Sequence, residues 1–245
     1  MKTLSEIFEE CKSIVFGDCY SYAKQWKTDA PNRVLIGIIP NYFPREIIHA
    51  ANGFAVGIIG ESLKYIVTKE GKDSGKLQCS MLEGVFEMVQ NGRYEDFDGF
   101  ILPSQCHTLT TFDEIIKINK HGKFIKYINF PQYFQTIIGD ILNHYFVLDV
   151  LQEIYKINRI EVSTQAMNYS IQLYKDNLKL TEKIYALRTK NKYNISQGEL
   201  YYTVLAGLLL PIESHNEILT NIIDLLDGSE ESDDRIFKIY TGAYC

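Results

Sequence analysis

Cys79, Cys106 and Cys245 are the residues of this 245-residue chain whose types and placement could do chemistry. A thiolate is a soft ligand for zinc, copper or an iron–sulfur cluster, and a nucleophile where its pKa is lowered. The gaps of 106 − 79 = 27 and 245 − 106 = 139 residues form no compact C-x-x-C motif, so meaning has to come from position. Cys79 precedes a helical pattern over 81–89, where the helix dipole and free amides stabilise a thiolate. Cys106 closes Gly99-Phe-Ile-Leu-Pro-Ser-Gln-Cys106, an apolar run that reads as a buried strand. Cys245 closes a second strand-like run over 235–245. Three thiols at element ends can converge on one crevice and hold a metal or an iron–sulfur cluster. Three unrelated core cysteines would leave the same pattern, and spacing does not separate the two readings. Cys11 lies on the apolar stripe of a helix over 4–15 and reads as a core residue.

Glu46 and His49 form a second candidate. Three residues apart on a short helix, they share one face and can move a proton or position a carbonyl. A hydrogen-bonded structural pair has the same spacing. His107 follows Cys106 directly and could help surround a bound group, while the histidines at 121, 144 and 215 are scattered and read as surface or structural groups.

The elements that must position these residues follow an alternating pattern. Val34 to Pro40 is a continuous apolar run ended by proline, as in a central parallel strand. A helix over 44–51 and a strand over 54–60 follow, then a charged, glycine-containing stretch over 61–75. The helix over 81–89, the strand over 97–106, a helix over 111–119 and a strand over 124–131 complete four strands. Beyond Pro131 the periodicity turns helical: 144–157, a long helix capped by Ser163 with Met167, Ile171, Tyr174 and Leu178 on one face, then 198–210 and 214–226. The expected architecture is α/β: a doubly wound parallel-sheet lobe over 1–135, a helical segment over 136–230, and over 231–245 the first strand of an incomplete second α/β lobe. In such sheets ligands gather at the carboxyl ends of the strands, where Cys106 falls.

Composition removes several classes. A net charge of −6 argues against non-specific nucleic-acid binding, which needs a basic surface. No apolar run reaches the roughly 18 residues of a membrane span. Five cysteines in a chain of this length, without dense spacing, suit reduced thiols and a cytoplasmic location. Neither G-x-x-x-x-G-K-[ST] nor G-x-G-x-x-G occurs, so ATP and NAD are not held by those devices, and H-E-x-x-H and G-x-S-x-G are absent too.

Four stretches carry a resemblance over essentially the whole chain: IPNYFPREIIHAANGFAVGIIG (39–60), GFILPSQCHTL (99–109), AGLLLPIESHNEIL (206–219) and IYTGAYC (239–245). In order and context they resemble the 2-hydroxyacyl-CoA dehydratase and benzoyl-CoA reductase family, most of all its C-type, non-ATPase subunits of ATP-dependent benzoyl-CoA reductase. The resemblance implies a 4Fe-4S cluster held by three cysteines, which match Cys79, Cys106 and Cys245. It implies passage of single low-potential electrons to an aryl-CoA or acyl-CoA. It also implies partners: a homologous cluster-bearing subunit, ATP-hydrolysing activator subunits, and ferredoxin as electron donor. Arg188, Lys190 and Lys192 become candidates for CoA phosphates, or for a favourable cationic end to the long helix. Family members continue past GAYC, so the chain is expected to be truncated, and a cluster-free scaffold or assembly role stands as the alternative.

Overall fold

The computed structural model describes residues 2–39, 43–59, 84–85, 87–89, 91–104, 109–110, 113–114, 117, 122–129, 137–189 and 195–227. Its centre is a four-stranded parallel sheet of β1 (Val34–Ile38), β2 (Gly53–Gly57), β3 (Gly99–Pro103) and β4 (Phe124–Ile128). The spatial order is β2-β1-β3-β4. Every residue of β1, β2 and β3 is buried, which is why these segments read as unbroken apolar runs rather than as an alternation. Register places Val34 beside Gly53, Ile36 beside Gly99, and Gly99 beside Phe124. The doubly wound lobe is thus present as expected.

The starting edges of the strands are tied by one buried carboxylate. Asp98 accepts from the backbone of Leu35 at 2.9 Å and pairs with Lys27 at 2.9 Å and Lys123 at 3.0 Å. Its own backbone N–H donates to Leu35 O, so the entries to β1 and β3 are bound twice.

Helix α1 (Leu4–Phe16) opens with a capping box in which the Thr3 hydroxyl accepts from Glu6 N and the Glu6 carboxylate accepts from Thr3 N. Helix α2 (Ser21–Thr28) escapes a reading by periodicity, because Ala23 is its only buried residue. Helix α3 (Arg45–Ala50) links β1 to β2, and Pro44 stands at its N-cap rather than inside it. Helix α4 (Ile137–Asn158) starts seven residues before the expected 144. Gly139 and Asp140 suggest a break, yet an acidic residue in the first turn suits the positive end of the helix dipole.

Helices α5 (Thr164–Thr189), α6 (Gln197–Leu209) and α7 (Ile212–Asp227) complete the described chain. Ser163 caps α5 as expected, its Oγ accepting from Ala166 N at 3.1 Å. One member of the expected α5 stripe is corrected: Leu178 is 59% exposed. The contact line runs through Ser170, Tyr174, Asn177, Thr181 and Ile184, and Leu178 lies about 80° off its centre. Among the described residues the helices share apolar clusters with the sheet. Ile184, Leu187, Leu200, Leu209, Leu219 and Ile222 share one apolar cluster with Ile7, Cys11, Leu35, Val56 and Phe100. One close approach is at Gly57, where a Cβ would stand 2.8 Å from Leu208 Cβ. The expected strand over 235–245 lies outside the described residues.

Candidate functional site

The strand order defines where a ligand belongs. From β1 the chain moves one way to β2 and then returns past β1 to β3 and β4. The order therefore reverses between β1 and β3, and the crevice at their carboxyl ends is the switch point at which doubly wound sheets bind ligands. Ile39 N donates to Ile101 O at 3.4 Å there. Two residues beyond Ser104, the last described residue of this run, comes Cys106. Cys106, Cys79 and Cys245 all lie outside the described residues, as do His107, Lys190 and Lys192. Among the described residues near this edge, Ser104 Oγ donates to Asn129 and Thr110 Oγ1 lies 2.9 Å from Tyr127 Oη.

His49 lies elsewhere, whereas Glu46 is in the first turn of α3 (Arg45–Ala50), next to the carboxyl end of β1. Helix α3 runs from the carboxyl end of β1 to the amino end of β2, so His49, in its last turn, stands towards the opposite edge of the sheet from Cys106's strand end. Its Nδ1 lies 2.9 Å from Ser170 Oγ and its Nε2 lies 2.9 Å from Glu213 Oε1. The trio has the members of a nucleophilic triad without its chemistry. Ser170 is 0% exposed and its hydroxyl donates to Glu46 O at 2.6 Å, so neither its lone pairs nor its proton is open to a substrate. Because that proton is spent, His49 Nδ1 is the donor to Oγ, and both ring nitrogens face acceptors. The His49 bond is the largest cause holding the Glu213 carboxyl below the ordinary carboxylate range. A pocket of about 140 Å³ opens beside this contact, lined by Trp26, Arg33, His49, Asn52, Tyr174 and Glu213. Arg33 lies over the Trp26 ring at 4.5 Å and donates to Trp26 O, so its charge is already engaged.

What Arg45 and His49 do is join two of the sequence motifs. Arg45 Nη2 donates to Gly207 O at 2.8 Å, in the last turn of α6, while His49 meets Glu213 in the first turn of α7. Between these contacts His215 is buried at 3% exposure. Its Nε2 donates to Thr203 O at 3.0 Å and its Nδ1 accepts from Asn177 Nδ2 at 2.8 Å, and burial pushes its pKa down to about 4. The ring fills the space over Gly207, where any Cβ would collide with it. Stretches 39–60 and 206–219 are therefore two halves of one packing unit. Distance in sequence hid this, since His215 alone reads as a scattered histidine.

Cys11 and Cys19 are buried. Burial pushes the Cys11 thiol up to about 11, so it carries no thiolate for a metal at neutral pH. Among the described residues no group of three or more His, Cys, Asp or Glu side chains could hold a metal ion. No helix among them is long and apolar enough to cross a membrane.

Residues 40–242 match the family of the 2-hydroxyglutaryl-CoA dehydratase D-component. The chain belongs to this family, that of 2-hydroxyacyl-CoA dehydratase and benzoyl-CoA reductase subunits. Among relatives, it is 28% identical to the C-type subunit of benzoyl-CoA reductase from Thauera aromatica, over 98% of its own length and 63% of that protein's. It is 21% identical to the (R)-phenyllactyl-CoA dehydratase beta subunit of Clostridium sporogenes, over 80% of this chain and 52% of the relative. It is 25% identical to the beta subunit of (R)-2-hydroxyglutaryl-CoA dehydratase from Acidaminococcus fermentans, over 60% and 39%. The chain thus spans less than two thirds of the length of each. All three are subunits of multi-subunit enzymes.

Proposed function

We propose that this chain is the iron–sulfur subunit of an ATP-dependent benzoyl-CoA reductase-like complex that passes low-potential electrons to an aryl-CoA for dearomatising reduction. The observation that carries the reading is the extent of the match to the Thauera reductase subunit, 98% of the chain, against 80% and 60% for the two dehydratase subunits. A dehydratase subunit acting on a 2-hydroxyacyl-CoA is the second reading, favoured by the family to which residues 40–242 belong.

In this proposal Cys79, Cys106 and Cys245 hold a 4Fe-4S cluster. Three thiolates are a donor set that suits iron–sulfur ligation, and the strand preceding Cys106 ends at the switch point. Such a cluster supplies one-electron transfer and keeps one iron without a protein thiolate. The chain's own part would be to supply the three thiolates, and the fully buried strands β1, β2 and β3 supply a water-excluding core. Glu46 is partly exposed and stays the candidate for proton transfer, whereas His49 is engaged on both nitrogens. The absence of a phosphate-binding loop fits ATP hydrolysis by separate activator subunits, with ferredoxin as donor and a homologous cluster-bearing subunit as partner.

Iron and acid-labile sulfide in anoxically prepared protein, with and without co-expressed partner subunits, test the cluster. Iron is expected in wild type and in Cys11→Ser, and most of it lost in Cys106→Ser; iron-free wild type in both preparations would sink the proposal. Assay of the co-expressed complex on benzoyl-CoA and on a 2-hydroxyacyl-CoA separates reductase from dehydratase.

A further inference from the structure

Helix α4 is apolar on two opposite sides. Its inner side buries Val150 and Ile154 in a cluster with residues of α3, β1 and β4. Its outer side turns Ile141, Tyr145, Leu148 and Tyr155 to solvent, with Ile141 62% and Tyr145 64% exposed. At about 100° per residue this outer set falls within an arc of about 80°, roughly opposite Val150. Together with Gln152 these residues recur at intervals of 4, 3, 4 and 3, the heptad spacing of a seam between two helices. No charged side chain interrupts the seam. Two heptads are too few to nucleate a helix, but the inner side already holds α4 in place, so pairing has only side chains to order.

We propose that this chain forms a homodimer through the outer side of α4, with the two helices parallel and related by a two-fold axis along them. A second copy is the occupant that the seam itself matches. In a parallel pair the copies meet residue for residue, so Leu148 packs on Leu148. The one polar member, Gln152, then meets Gln152, and each amide can both donate and accept. The flanks match as well. His144 precedes Tyr145 and Asp149 follows Leu148, the two positions that face each other across a parallel pair, so His144 of each copy meets Asp149 of the other. Asp149 already pairs with Lys126 at 2.8 Å and keeps lone pairs for a second donor. The dimer stands apart from the cluster described under Proposed function, since it uses no residue of that site.

Sedimentation equilibrium of the full chain under reducing conditions, between about 10 and 300 µM, measures the pairing. Wild type is expected to pass from monomer towards dimer over this range. Leu148→Glu sets two carboxylates against each other at the axis and is expected to pair about 100-fold more weakly. Thermal melts check that this variant is folded, as its exposed position allows. Ile141→Cys and Leu148→Cys read the direction of the helices. After oxidation, mass spectrometry of linked peptides is expected to show both 141–141 and 148–148 disulfides, because parallel helices bring both pairs within reach. A 148–148 link without a 141–141 link marks antiparallel helices and overturns the parallel pairing. Wild type that stays monomeric throughout, even where a co-expressed subunit takes the face instead, overturns the dimer. So does a folded Leu148→Glu variant that pairs like wild type.

Discussion

The buried ring of His215 makes the stability of this protein depend on pH in a specific window. Its ordinary pKa of 6.5 is lowered to about 4 in the fold, chiefly by burial. Asn177 and Thr203 satisfy the neutral ring on both nitrogens, and a second ring proton would meet the Asn177 amide hydrogens. Above about pH 7 the ring is neutral in both folded and unfolded chains and contributes no pH dependence. As pH falls through 6.5 the unfolded chain takes up a proton that the folded chain refuses until about pH 4, so stability is lost across that interval. At about 1.4 kcal/mol per pH unit the whole interval is worth about 3 kcal/mol, of which about 2 kcal/mol is already lost at about pH 5. The perturbation is His215→Gln, which keeps one donor and one acceptor and cannot titrate. Urea unfolding of both proteins at about pH 8 and about pH 5 isolates the histidine, because the carboxylates common to both cancel. Wild type is expected to lose about 2 kcal/mol more than the variant over this range. Equal losses, or an NMR titration of the His215 ring near 6.5 in folded protein, would refute the argument.

Other positions give sharper single numbers. Asp98→Ala leaves the buried Leu35 N–H without its acceptor and removes the carboxylate that pairs with Lys27 and Lys123, and should cost about 2–3 kcal/mol in urea unfolding. Ser196→Ala breaks the capping box of α6, in which Ser196 Oγ accepts from Glu199 N at 3.2 Å, and should cost about 1 kcal/mol by the same measurement. Gly207→Ala drives a methyl into the His215 ring and should destabilise, in contrast to an ordinary helical Gly→Ala exchange, which stabilises; a raised Tm would contradict the packing described for the two motifs. Glu213→Gln removes a carboxylate whose pKa is lowered by His49, so stability present above about pH 4.5 and lost on acidification should vary less with pH in the variant, seen in melts between pH 3 and 6.

Much of the fold is legible in one dimension. The runs at 34–40, 54–60 and 99–103 are apolar on both faces, and only a strand buried between layers of helices requires that of so short a segment. Ser163 marks the start of α5 because a hydroxyl one residue before a helical stripe has one obvious use there. Helix α2 is not legible, since a helix that buries one alanine leaves no stripe to count. Leu178 misleads because periodicity identifies a face without saying how far along the helix a neighbour follows it.

The sequence by itself determined the family, the parallel sheet, and the strand end that leads to Cys106. Local apolar pattern, turn residues and motif order are written in neighbouring positions and need no third dimension to be read. Only the tertiary structure decided what Glu46, His49, Ser170, Gly207, Glu213 and His215 do together. His49 and Glu213 are 164 residues apart, and their 2.9 Å contact exists because α3, α5 and α7 pack together. The same holds for the Ser104–Asn129 and Thr110–Tyr127 contacts, whose four side chains become partners only once β3 and β4 lie in register. Contacts of this kind arise from chain crossing and packing, so no spacing in one dimension announces them.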